Sequence, residues 1–103
     1  MQKNKLLSML GIAKRAGAVS MGHDAAVHSV FSKKAKLLLL AADVSERSKR
    51  DMRITAEKQF GSLPVIEADI TIDEIGSACG YKAGILTVNN AEISKRIISL
   101  INE

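Results

Sequence analysis

The chain has 103 residues, 47% of them apolar and 25% charged. This is the composition of one compact domain over residues 1–103, and it excludes a disordered, collagen-like or membrane-embedded chain. Lysine and arginine outnumber aspartate and glutamate by 15 to 11, and the +4 net charge is uneven: residues 1–36 carry seven cations against Asp24 alone, +6, and the remainder sums to −2. A basic region on an otherwise slightly acidic domain is the electrostatic footprint of a surface for nucleic acid or an acidic partner.

From Lys3 to Ala16, Leu6, Met9, Leu10 and Ala13 recur at steps of three and four, which predicts an amphipathic helix closed by Gly17. Ala18 to Met21 follows as a short strand. Gly22 then opens a second helix in which Ala26, Val27, Val30 and Phe31 are expected to share the buried side. Lys36 to Ala42 is a continuous apolar run, too short for a helix, and predicts a strand covered on both faces near the centre of a sheet. Ser45 is placed to cap a helix from Glu46 to Phe60, with Met52, Thr55, Ala56 and Gln59 on its quieter side and Gly61 as its stop. In that helix Arg47, Lys49, Arg50 and Arg53 alternate with Glu46, Asp51 and Glu57, the pattern of a solvated face with local ion pairs.

Leu63 to Ile66 is expected as a strand entered through Pro64. Thr71 with Glu74 three residues on forms a capping-box pattern for a helix through Cys79, and Gly80 ends it. Ile85 to Val88 is another buried strand, and Asn89 or Asn90 caps a last helix carrying Ile93, Ile97 and Leu100. Strict alternation of helices with short buried strands predicts a three-layer α/β/α sandwich around a mixed four-stranded sheet.

The chain offers little to an enzyme. It contains no phosphate-cradling, dinucleotide or Cys-x-x-Cys motif, and no nucleophile elbow. Cys79 is the single cysteine, which excludes an internal disulfide and a Cys-pair zinc site, and it is expected to be buried. Asp24 and His28 stand at i and i+4 on one helical face, but His23 and His28 diverge by about 140° and are not a clean chelating pair. No metal and no cofactor are expected. Gly22 and the glycine-bounded loop Gly80 to Gly84 permit close backbone approach to a ligand, and the N–H groups of a helix start favour anions. Only three aromatics occur, Phe31, Phe60 and Tyr81, so shape and backbone are expected to dominate any contact with nucleic acid.

Three segments carry a resemblance over nearly the whole chain: Lys14-Arg15-Ala16-Gly17-Ala18-Val19 running into Ser20-Met21-Gly22, then Lys36 to Val44, then Ile75-Gly76-Ser77-Ala78-Cys79-Gly80. Together they resemble the small RNA-binding ribosomal proteins of the large subunit, whose archaeal member binds kink-turn RNA. The bacterial stand-alone branch of that family is the nearer likeness. The resemblance implies an α/β/α sandwich that binds structured RNA, ribosomal or kink-turn-like, without catalysis. The family's Gly-x-Asn-Glu-x-x-Lys segment falls on Gly22, with Asp24, Ala25 and His28 at the Asn, Glu and Lys places, and its apolar loop falls on Tyr81 to Ile85. An ionised Asp24 only accepts hydrogen bonds, Ala25 offers none to a base edge, and a neutral His28 lacks the permanent charge of lysine.

The expected RNA surface therefore comprises Lys14, Arg15, Gly22, His23, Asp24, His28, Tyr81 and Lys82, with Lys14, Arg15 and Lys82 meeting phosphates. A monomer is expected, with no membrane partner. The N-terminus lacks a secretory apolar segment with its cleavage site, so the expected compartment is the cytoplasm. The other reading is a protein-interaction module on the same fold, its basic end turned to an acidic protein.

Overall fold

The computed structural model describes residues 1–103, in which helices and strands alternate as the periodicity predicts. The order is α1 (Lys3–Arg15), β1 (Val19–Met21), α2 (His23–Phe31), β2 (Leu37–Ala41), α3 (Glu46–Gln59), β3 (Val65–Ala68), α4 (Ile72–Cys79), β4 (Ile85–Val88) and α5 (Ala91–Asn102). The four strands form one mixed sheet in the order β1-β4-β2-β3. β2 runs parallel to β3, with Leu38 opposite Val65, and antiparallel to β4, with Leu39 opposite Leu86. β1 closes the other edge, antiparallel to β4.

Every residue of β2 is buried. Because successive side chains of a strand point to opposite faces, its apolar run serves two cores. Leu37, Leu39 and Ala41 pack with Leu6 and Leu10 of α1, Ile75 of α4 and Ile97 of α5. Leu38 and Leu40 pack on the other side with Ala26 and Val30 of α2 and Met52 and Ala56 of α3. Helices α1, α4 and α5 thus form one outer layer, α2 and α3 the other. No helix is long and apolar enough to cross a membrane.

Local chemistry fixes the helix ends. Ser45 Oγ accepts from the Ser48 N–H at 3.2 Å, and Asn90 Oδ1 accepts from the Ile93 N–H at 2.9 Å. The capping box at α4 is complete: Thr71 Oγ1 accepts from the Glu74 N–H at 3.1 Å while Glu74 Oε1 accepts from the Thr71 N–H at 2.9 Å. Gly80 ends α4 in the left-handed conformation, at φ 75°.

Four expectations are corrected. β3 begins two residues late, because Leu63 turns back to Phe60 and Pro64 has no N–H for a ladder, so pairing runs on to Glu67 and Ala68. Phe31 is 55% exposed; on a 3.6-residue period it points about 120° away from the bisector of the buried Ala26 and Val30, and Ser29 fills the buried face instead. Cys79 is only half-buried, at the last turn of α4. Lys49 is not on a solvated face: it is 3% exposed and completes the α3 stripe with Met52 and Ala56. Its ammonium donates to the Ala42 carbonyl at 2.9 Å, to Glu67 at 3.1 Å and to Glu46 at 3.2 Å, leaving no donor unmet.

Burial alone would lower the Lys49 pKa, but hydrogen bonds to Glu67 and Glu46 outweigh it and hold the ammonium above its ordinary 10.5. The Lys49 hydrogen bond holds Glu67 below its ordinary 4.5 against the opposing effect of burial, with Arg53 assisting. Glu74 is lowered likewise by Lys3 and by the Thr71 N–H. A carboxylate whose pKa is depressed by folding stabilises the fold above its unfolded value and loses that contribution as pH falls through the folded one. A lysine with a raised value contributes below its unfolded value and loses the contribution as pH rises through the folded one.

The melting temperature is therefore expected to fall on acidification below pH 4.5. Glu67→Gln is expected to lower it at neutral pH and to make the acid decline shallower; parallel acid limbs by circular dichroism would remove the Lys49–Glu67 pair from that role. Leu39→Ala opens a cavity in the α1/α4/α5 core and is expected to cost about 2–5 kcal/mol in urea unfolding.

Candidate nucleic-acid interface

Gly22 joins β1 to α2 with φ 97° and ψ 162°, a backbone conformation open essentially to glycine alone. Its N–H donates to the Ile85 carbonyl at 2.8 Å and its own carbonyl accepts from the Ala26 N–H at 2.9 Å. The start of α2 is thereby locked to the start of β4. A Cβ at this glycine would lie 3.9 Å from Tyr81 Oη, so the phenol of the α4–β4 loop stands directly over the junction. Side chains cap α3, α4 and α5, whereas α1 and α2 start without a side-chain cap. The first N–H groups of α2 and the positive end of its dipole face outward, the arrangement that receives anions.

His23 and Asp24 occupy the first turn, both exposed, with His23 Nδ1 3.2 Å from Asp24 Oδ1. His28 lies one turn further on the same face as Asp24 and is also exposed. Lys82 follows Tyr81 and pairs with Asp73 Oδ1 at 3.0 Å. Its stem occupies the place of a Gly76 side chain, since a Cβ there would come within 2.6 Å of Lys82 Cγ. With Asp73, Gly76, Ser77 and Gly80, Tyr81 and Lys82 line a shallow cavity of about 410 Å³.

Lys14 and Arg15 adjoin this cavity, because Asp73 and Ser77 line both it and the groove at Arg15. They end α1, and Arg15 lines a groove of about 600 Å³ between α1 and α4 with Gly11, Ile12 and Ser77. Both cations act on Cys79: burial pushes its thiol up, Lys14 and Arg15 pull it down, and burial prevails. That outcome is opposite to what activates a thiol. Of the eight expected residues, Gly22, His23, Asp24, Tyr81 and Lys82 thus gather where α2 meets the α4–β4 loop. His28 continues that surface along α2, and the Lys14–Arg15 pair stands beside the end of α4.

Beneath α2 lies a polar network that the sequence reading missed. Ser29 Oγ is 2.6 Å from Ser20 Oγ, Asn89 Nδ2 donates to Ser20 Oγ at 3.0 Å, and Thr87 Oγ1 donates to Asn89 Oδ1 at 3.0 Å. Ser29 and Thr87 are buried. These bonds fasten α2 to β1 and to the β4 end, and no single local pattern announces them because their members lie in three separate segments.

The chain is a small α/β/α domain in which the start of α2 stands beside the α4–β4 loop. The model of the Ribosomal protein L7Ae/L30e/S12e/Gadd45 family matches residues 4–98, and the chain belongs to that family. It is 29% identical over 65 residues to the RNA-binding protein YlxQ of Enterococcus faecium, a match spanning 63% of this chain and 61% of that protein. Among solved structures it is similar to a protein of unknown function from Bacillus halodurans, with TM-score 0.86, 26% identity, and 96% and 98% of the two chains covered. The 15.5 kD RNA-binding protein of Giardia lamblia shares the fold, with TM-score 0.75, 16% identity, and 98% of this chain and 85% of that one covered.

Gly22→Ala is expected to destabilise the protein by about 1–3 kcal/mol, because an L side chain at that φ and ψ is strained whatever the space around it. Urea unfolding measures the cost; an unchanged midpoint would show that the junction tolerates another backbone conformation.

Proposed function

We propose that this chain is a non-catalytic RNA-binding protein that acts as a single domain and a monomer in the cytoplasm. It recognises structured RNA, kink-turn-like or ribosomal, through the start of α2 and the α4–β4 loop. The observation that carries the reading is the Gly22 junction, an uncapped helix start locked to β4 and overhung by Tyr81, in a chain of this family. The RNA-binding name of the Enterococcus relative and of the Giardia protein supports it.

On this reading the α2 N–H groups, His23 and Lys82 meet phosphates, Tyr81 stacks on a base, and Asp24 accepts from a guanine edge. His28 serves a phosphate when protonated. Lys14 and Arg15 engage the flanking backbone beside α4. The altered Asp24, Ala25 and His28 positions favour a second reading, a protein-interaction module whose basic surface meets an acidic protein.

Titration of the protein at several salt concentrations separates these. One RNA is a kink-turn; the other is the same RNA with its tandem G·A pairs replaced by Watson–Crick pairs. Tight binding to the first alone is the expected result. Equal, steeply salt-dependent binding to both would mean general recognition of RNA backbone, and binding to neither would favour the protein partner. Lys14→Ala with Arg15→Ala is expected to weaken binding and reduce the log–log salt slope by roughly 1.4–1.8; an unchanged slope would take both residues out of the interface.

A further inference from the structure

The two exposed aromatic side chains, Tyr81 at 53% and Phe31 at 55%, stand at opposite ends of α2. Tyr81 overhangs Gly22 before the helix, and Phe31 is its last residue. Asp24, His28 and Phe31 follow at i, i+4 and i+7, all exposed, so Phe31 continues the α2 face that carries the candidate site. A nine-residue helix is roughly 13 Å long, which places both aromatics within reach of one bound strand.

Three lysines follow the ring. Lys33, Lys34 and Lys36 are exposed, and none is in an ion pair. No acidic residue occurs between Asp24 and Asp43. Lys33 is the one non-glycine residue with positive φ, at 60°, where Gly17 and Gly80 follow α1 and α4 at 70° and 75°. Backbone bonds hold this turn, from the Lys33 N–H to the Val30 carbonyl at 3.1 Å and from the Lys34 N–H to the Ser29 carbonyl at 3.0 Å. Glycine would fit the position without strain. Complementing the helix dipole does not require a lysine here, because Lys34 and Lys36 already stand beside the helix end. Lys33 thus sets a cation, at a backbone position that glycine would occupy without strain, two residues after an exposed ring.

We propose that Phe31 with Lys33, Lys34 and Lys36 forms a second RNA contact, for a single-stranded nucleotide segment that flanks the structured element. An unpaired base stacks on the Phe31 ring and the lysines neutralise the adjoining phosphates. Base–aromatic stacking tolerates any base, so this contact adds affinity without reading sequence. The inference rests on the RNA-binding reading of the α2 face and extends it from the helix start to the helix end.

The test uses the kink-turn RNA with and without a short single-stranded oligouridine extension. Wild-type protein is expected to bind the extended RNA more tightly. Phe31→Ala is expected to lose about tenfold in affinity for the extended RNA only, with Phe31→Tyr retaining it. Lys34→Ala with Lys36→Ala is expected to reduce the salt slope for the extended RNA by about 1.4. Lys33→Gly separates structure from contact: its melting temperature is expected to rise while affinity for the extended RNA falls. Equal wild-type affinity for the two RNAs, or an equal loss on both for Phe31→Ala, overturns the second contact and leaves the helix-start site standing. Failure of the wild-type protein to bind either RNA overturns both.

Discussion

The double burial of β2 is the constraint on which the rest of the structure depends. Leu37, Leu38, Leu39 and Leu40 are all inaccessible to solvent, and each fully buried leucine contributes on the order of 2 kcal/mol. A strand apolar on both faces is stable only between two layers, so the chain must supply helices above and below it. α1, α4 and α5 cover one face, α2 and α3 the other. With only two helices on its side, α2 covers β4 and the β1 edge almost alone, and the Ser20–Ser29–Asn89–Thr87 bonds fix it there. The position of the candidate site follows from this packing. α2 must begin where β1 ends, at Gly22, and that point lies beside the start of β4.

The charges divide along the same line. Of the seven cations in residues 1–36, Lys3 alone is in an ion pair, with Glu74 at 2.7 Å. Lys49, Arg53, Lys82 and Lys95 are the paired cations of the remainder. Lys49 and Glu67 are consumed by the fold, tying α3 to β3 and to the Ala42 carbonyl. The other six N-terminal cations are in no ion pair. Exposed unpaired cations add little to stability and much to the long-range attraction of an anion.

The sequence made the element order, the two-faced β2, the Thr71 capping box and the mixed three-layer sandwich legible, because each rests on local periodicity or local hydrogen bonding. It misled where a tertiary partner overrode local character. The expected strand ends at Ile66, yet β3 runs on through Glu67, whose carboxylate accepts from Lys49 and Arg53. Lys49 reads as solvent-facing by residue type, although its spacing to Met52 and Ala56 places it on the buried stripe. Phe31 reads as core by residue type, although its position on the wheel puts it outside. In both cases period outranks identity. Within the candidate site, Gly22 and the glycine-bounded loop were legible from backbone chemistry, whereas the Tyr81 approach to Gly22 joins residues about sixty apart and leaves no trace in either segment.

Asp24 then acquires a meaning that the comparison of residue types alone does not supply. Its carboxylate is fully exposed at the uncapped start of α2, where it complements the helix dipole and can only accept hydrogen bonds. On the RNA-binding reading, the α2 N–H groups and His23 hold one phosphate at the helix start, and the adjoining phosphates turn toward Lys82 beyond Tyr81 at one end and Lys33, Lys34 and Lys36 beyond Phe31 at the other. The Asp24 carboxylate itself suits groups that donate hydrogen bonds, and the donors an RNA offers are base N–H groups and 2′-hydroxyls. On that reading, a carboxylate in place of an amide at this position leaves the helix N–H groups to phosphate and narrows the side chain's own choice to a base N–H or a 2′-hydroxyl.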